Sequence, residues 1–140
     1  MRKIATIPLT FVLLILFTTS AFGQLPSNHL EGTWRLVSQQ AVYPDTIIVS
    51  TNIPPSMKIL NSTHFSWGYQ STTGEEVLAG GGRYTLQGDT LYTEYIEYHT
   101  SEVLIGQAIP FTVKVIGDIW YHTGVFPSGY RLEEVWRRIE

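Results

Sequence analysis

From Thr33 onward the chain is a succession of short segments rich in Thr, Tyr, Val, Ile and Trp, each cut off by Gly, Asp, Asn or Pro. Apolar residues seldom recur at three-to-four spacing for long enough to build a helix. Strand-type alternation recurs instead, and the punctuating residues are those that turns require. The segments are Thr33–Gln40, Thr46–Ser50, Met57–Leu60, His64–Gln70, Val77–Gln87, Thr90–His99, Pro110–Ile116, Ile119–Gly124 and Arg131–Ile139. Gly88-Asp89 and Gly117-Asp118 read as tight hairpin turns. Asn61-Ser62-Thr63 reads as a slightly longer one, and it is also an Asn-x-Thr sequon, relevant where the host glycosylates secreted proteins. The expected fold class is all-β. Eight or nine short strands in a meander point to an antiparallel up-and-down barrel, which leaves no exposed sheet edge. A β-sandwich is the alternative.

The N-terminus stands apart from this pattern. Arg2 and Lys3 precede an almost wholly apolar run, Ile4 to Phe17, and Ala21-Phe22-Gly23 offers small residues at the −3 and −1 positions of a cleavage site. Residues 1–23 are therefore expected to be a secretory signal peptide, with export to the periplasm or beyond. The run falls short of the roughly 20 residues that span a bilayer, so no transmembrane helix is expected after cleavage. Residues 24–140 then form one domain, large enough for a core of its own. With no Cys, its stability rests on packing and sheet hydrogen bonds, and thiol chemistry is excluded. The net charge is −3 with scattered Lys and Arg, which gives nucleic acid no basic surface. Eight Tyr, six Phe and four Trp suit a ring-lined core or pocket.

Turn length sets register, and register sets the face each side chain occupies. A two-residue Gly88-Asp89 turn would place Tyr84, Leu86, Leu91, Thr93, Tyr95, Glu97 and His99 inside, with Arg83 opposite Glu94 outside. The Gly117-Asp118 turn places Phe111, Val113, Val115, Trp120 and His122 inside. A three-residue turn in the earlier hairpin would put Met57 and Ile59 opposite Trp67 and Phe65, facing in, with Tyr69 beside them. Gly80-Gly81-Gly82 would bend a strand or make room. Ala41–Ser56 and Thr100–Ala108 are candidate lid loops, and Ser101-Glu102-Val103-Leu104 has the makings of one helical turn.

The candidate ligand-binding residues are therefore Phe65, Trp67, Tyr84, Tyr95, Glu97, His99, Trp120 and His122. The rings supply contact area, and Glu97, His99 and His122 orient a polar end. Two imidazoles and one carboxylate would also suit a metal or an acid/base pair. Their bland alternative is hydrogen bonding to Tyr hydroxyls and water. Glu75-Glu76 and Glu133-Glu134 are expected on the surface. No phosphate loop and no nucleophile elbow is present, so no catalytic residue, cofactor or resident metal is assigned.

Several stretches carry a family resemblance. They are Leu30-Glu31-Gly32-Thr33-Trp34-Arg35-Leu36-Val37-Ser38, Thr63-His64-Phe65-Ser66-Trp67, Gly81-Gly82-Arg83-Tyr84-Thr85-Leu86, Gly88-Asp89-Thr90, Ile96-Glu97-Tyr98, Gly117-Asp118-Ile119-Trp120-Tyr121 and Glu134-Val135-Trp136-Arg137-Arg138. In this order the chain resembles small secreted bacterial lipocalin-like (calycin) barrels of an uncharacterised family. The resemblance implies that Trp34 plugs the closed end, that Arg137 or Arg138 packs on it, and that a small hydrophobic molecule binds inside. It is a shorter chain than the larger lipocalins, without Cys and without a clear C-terminal helix. Two functions follow: a carrier of a small, largely hydrophobic ligand, or a side-chain-filled barrel that works through its surface, with a homodimer left open. A metal-assisted enzyme using Glu97, His99 and His122 is the third.

Overall fold

The computed structural model describes residues 28–140. The expected signal peptide lies outside the described residues. Nine strands follow one another: β1 (Gly32–Val42), β2 (Ile47–Val49), β3 (Met57–Leu60), β4 (His64–Gln70), β5 (Val77–Gln87), β6 (Leu91–His99), β7 (Ala108–Ile116), β8 (Ile119–Val125) and β9 (Arg131–Arg138). One 3₁₀ turn, Glu102–Leu104, interrupts the β6–β7 connection where the sequence suggested it.

The strands form one sheet in the order β2-β1-β3-β4-β5-β6-β7-β8-β9, and β1 also pairs with β9. That second pairing closes eight antiparallel strands into a barrel and rules out a sandwich; β2 is an extra strand clipped to the end of β1. Closure makes β1 serve two neighbours, β3 along Gly32–Arg35 and β9 along Trp34–Val42. An irregularity between Leu36 and Ser38 gives it the bend this requires.

Three turns fix which side chains enter the barrel. The Gly117-Asp118 turn has two residues, and Val115 faces Trp120 as expected. The Gly88-Asp89-Thr90 turn has three, because Gln87 pairs with Leu91. That extra residue inverts β6: Tyr92, Glu94 and Ile96 point in, and Tyr95 is 40% exposed. The β3–β4 register is shifted by one residue from the expected one, with Leu60 opposite Phe65. Met57 and Ile59 therefore face solvent, and Lys58, only 3% exposed, faces the core.

A bulge between Gly81 and Gly82 inverts the end of β6 a second time. Gly82 has φ +157°, and a Cβ there would run into the Tyr95 carbonyl oxygen, so glycine alone allows the close approach. The bulge leaves Glu97 and Tyr98 both outside and returns His99 to the interior wall, over Gly80. Glu97, expected inside, instead forms an ion pair with Arg83 at 2.7 Å on the outer surface.

The two ends of the barrel differ. At one end lie the three hairpin turns and the segment Asn28–Glu31, whose Leu30 is completely buried. Trp34 is also fully buried there, donates Nε1–H to the Leu30 carbonyl at 2.8 Å, and meets Trp120 edge-on at 5.2 Å. Arg138, not Arg137, lies over the Trp34 ring at 4.1 Å. Its guanidinium donates to the carbonyls of His29 and Glu31. At the opposite end are the connections between β4 and β5, β6 and β7, and β8 and β9, together with the long stretch after β1.

Candidate functional site

Between the plug and the mouth lies a layer of buried polar groups. Lys58 Nζ donates to Glu94 Oε1 at 2.8 Å, and the Tyr92 hydroxyl donates to the same oxygen at 3.0 Å. The ammonium also lies 5.1–5.8 Å from the ring centres of Trp136, Trp120 and Phe65. A buried charge needs such company, since an isolated one would cost several kcal/mol. Burial and the Glu94 carboxylate push the Tyr92 phenol well above its usual pKa, so it stays a donor.

The second buried pair is His122 and Glu134, with Nδ1 to Oε2 at 3.0 Å. Trp136 Nε1–H reaches the same carboxylate oxygen at 3.0 Å, and Gln39 donates to the other at 3.2 Å. Burial alone would raise the Glu134 pKa, but the His122 hydrogen bond, the Lys58 charge and the Trp136 donor outweigh it and hold the carboxyl below its usual range. Burial, reinforced by the Lys58 charge, pushes the His122 imidazole below its ordinary value against the pull of Glu134. Glu134 is thus an ionised acceptor and His122 a neutral ring. The one proton of that ring sits on Nδ1, where Glu134 accepts it. Nε2 is left as a bare acceptor with no protein partner among the described residues.

Above this layer is a cavity of ≈ 200 Å³. Glu94, Glu134, Lys58, His122, Phe111 and Trp136 contribute its polar and aromatic floor, while Leu36, Ile96, Ile109 and Leu132 line its wall. Trp67, Tyr69, His99, Leu104, Phe126 and Tyr130 stand around the upper part. Phe126 and Tyr130 stack at 4.7 Å, and Tyr43 stacks on Tyr130 at 5.7 Å, so three rings brace one side. Leu104 enters from the 3₁₀ turn of the Thr100–Ala108 connection; from the long stretch Ala41–Ser56 only Ser56 reaches the cavity. Removal from solvent lowers the pKa of His99, which also accepts the Ser101 backbone N–H at 2.7 Å.

Of the residues the sequence singled out, the structure brings Trp67, His99 and His122 together around this cavity. Phe65 and Trp120 lie below it in the core. Tyr84 belongs to the closed end, where its hydroxyl donates to the Asn61 carbonyl and accepts from Asn28 Nδ2. Tyr95 and Glu97 lie on the outer surface, so the Glu97, His99 and His122 trio does not assemble. Among the described residues no three acidic or His side chains group as a metal site.

Lys58, Glu94 and Glu134 are the residues sequence reasoning missed. Glu134, expected on the surface, is 8% exposed. Strict alternation along β9, with Leu132, Glu134, Trp136 and Arg138 on one face, was the available signal. Trp136 is buried, and parity then carries Glu134 inward with it.

A closed eight-stranded antiparallel barrel with a plugged base and an internal cavity defines a lipocalin-like β-barrel protein. The chain belongs to the family described as a domain of unknown function (DUF4488), whose model matches residues 29–140. In fold it is similar to a lipocalin-like protein from Bacteroides uniformis ATCC 8492, with TM-score 0.53 and 17% identity over 79% of this chain and 98% of that one. It is also similar to a redesigned β-barrel, with TM-score 0.50 and 14% identity over 79% of this chain and 92% of that one. An uncharacterized protein from Bacteroides eggerthii DSM 20697 aligns with TM-score 0.49 and 16% identity over 77% and 98% of the two chains. No curated protein matches the chain.

Proposed function

We propose that this protein is an exported binding protein that holds a small, largely hydrophobic molecule in the upper half of its barrel. The observation that carries the reading is the ≈ 200 Å³ cavity, walled by rings and aliphatic side chains and floored by polar ones. Close-packed cores hold few voids larger than a water molecule, so an opening of this size is not ordinary packing waste. An apolar cavity of roughly 150 Å³ accepts benzene; the occupant here is a molecule of one or two rings or the aliphatic equivalent. Export rests on the signal-like segment at residues 1–23 and makes the carrier periplasmic or secreted.

The test is the native mass of protein purified from its own host without denaturation, set against its denatured mass. A reproducible small-molecule excess, lost when Leu132→Trp fills the cavity, supports the carrier. A native mass that never exceeds that of the chain sinks it.

A second reading has its own observation. Ile47, Ile48 and Val49 of β2 are 60%, 55% and 56% exposed, on a strand with a neighbour on one side only. Such an edge invites pairing with another strand, which favours self-association. Sedimentation of the wild type against Ile48→Lys decides it: a dimer that the substitution disperses supports it, and a concentration-independent monomer overturns it.

A further inference from the structure

The buried polar layer does more than tolerate a ligand; it specifies one end of it. Four titratable side chains share the cavity floor: Lys58, Glu94, His122 and Glu134. Lys58 is engaged by Glu94 at 2.8 Å and by the faces of three rings. Glu134 receives His122, Trp136 and Gln39. Glu94 receives Lys58 and Tyr92. Of these four, His122, 1% exposed, carries a fully buried atom, Nε2, without a partner among the described residues; the other such atom, Trp120 Nε1, belongs to a ring outside the cavity lining. A buried polar atom left unpaired is destabilising, and a ligand that pairs with it removes that penalty.

The sign of the missing partner follows from the hydrogen bonds already made. An ionised Glu134 can only accept, so the imidazole proton sits on Nδ1 and Nε2 can only accept as well. The molecule that completes the site must therefore bring a donor. Charge points the same way. Two carboxylates and one ammonium make the floor net negative, and a third carboxylate brought in by a ligand would be buried beside two others.

We infer that the cavity selects a small apolar molecule with a protic head, a hydroxyl or an N–H, which donates to His122 Nε2, and that it rejects the equivalent carboxylate. The inference rests on reading the cavity as the ligand site and adds the chemistry of the ligand's polar end.

Three probes of one ring and similar length separate the possibilities: 2-phenylethanol, ethylbenzene and phenylacetate. Each is titrated into the mature chain by calorimetry at mildly alkaline pH, where His122 is neutral. The expected order is 2-phenylethanol first, ethylbenzene about tenfold weaker for want of one hydrogen bond to a buried acceptor, and phenylacetate without saturable binding. In His122→Phe, which keeps a ring against Phe111, the alcohol and the hydrocarbon bind alike. Should that variant fail to fold, the wild type still answers. The nitrogen resonance of His122 Nε2, followed by NMR, moves upfield on adding 2-phenylethanol and stays in place on adding ethylbenzene.

Equal binding of all three probes leaves the carrier standing and overturns the donor-selective site. Phenylacetate binding tightest overturns it too and transfers recognition to Lys58. A Nε2 resonance unmoved by bound 2-phenylethanol has the same effect. No saturable binding of any probe overturns both this inference and the cavity reading beneath it.

Discussion

The closed end and the mouth of this barrel are built from the same residue types and do opposite things with them. At the closed end most polar groups that arrive with an aromatic ring are answered locally, the Trp120 Nε1–H being an exception among the described residues. Trp34 Nε1 finds the Leu30 carbonyl, Arg138 finds two further carbonyls, and the Tyr84 hydroxyl finds Asn61 and Asn28. Toward the mouth the rings stand apart around a space of ≈ 200 Å³, and a fully buried imidazole keeps one nitrogen unanswered. An unanswered polar atom on a residue that lines the cavity, as at His122, marks the part available for recognition; the unanswered Trp120 Nε1 lies outside that lining, in the packed core.

The plug should be the costliest place to disturb. Trp34→Ala removes one of the two fully buried Trp side chains, which touches Leu30, Trp120 and Arg138 together. Loss of a buried Trp costs about 3–5 kcal/mol, measured as the shift in equilibrium unfolding by urea. A loss below about 1 kcal/mol would mean the base is not a packed plug, and the contrast between the ends would disappear.

Next comes the polar layer between them. Lys58→Met strands the Glu94 carboxylate with only Tyr92 for company, at a cost of about 3 kcal/mol. Lys58→Met combined with Glu94→Gln should regain much of that loss, because the stranded charge has gone. If the double variant is as unstable as the sum of the singles, the two side chains do not act as a pair.

These two residues also show where the sequence was legible and where it was not. The strands and their meander could be read from the alternation, the plug from the family resemblance, and the faces of the Gly117-Asp118 hairpin because β7 and β8 have one apolar parity each. Phe111, Val113 and Trp120 could face only one way. In β3 and β6 both parities are plausible. Met57 and Ile59 look more like core than Lys58, and Leu91 and Tyr95 look no worse than Tyr92 and Glu94. A one-residue difference in each turn decided the matter. Lys58 and Glu94 are acceptable inside only because each neutralises the other across the barrel, a fact that neither strand carries alone. His99 reaches the interior for a reason the sequence reading did not contain. The longer turn inverts β6, and the bulge at Gly81 and Gly82 inverts its end again.

The His122–Glu134 pair gives the comparison a pH axis. His122 has a folded pKa below the ordinary 6.5, so as pH falls from there the unfolded chain takes up a proton that the folded chain refuses, and stability drops. Glu134 has a folded pKa below 4.5, so its contribution is present above that pH and is lost as pH falls through the lowered value. Both act in the same direction, each unit of depression being worth about 1.4 kcal/mol. Thermal unfolding followed from about pH 8 downward should show a decline that begins near the histidine range. His122→Phe should remove that first decline and shrink the acid one, because the hydrogen bond that most lowers the Glu134 pKa goes with it. A wild-type profile flat through the histidine range would mean that His122 is not held neutral in the fold.

The mouth should be the cheapest place to change for stability and a sensitive one for binding. Trp67 is half-buried, stacked on Tyr69 at 6.1 Å and edge-on to His99 at 5.4 Å, with the cavity on its free side. Trp67→Ala deletes contacts on one side of the ring only and seals no new void, because the space it leaves joins one already there. Its cost should be about 1 kcal/mol, the ordinary size for a single substitution. The affinity for 2-phenylethanol should fall by about tenfold, since a lost ring contact matters more to a ligand than to the sheet behind it. Stability falling as far as in Trp34→Ala would show a mouth packed as tightly as the plug, and unchanged affinity would place the occupant deeper, against His122 and Phe111 alone.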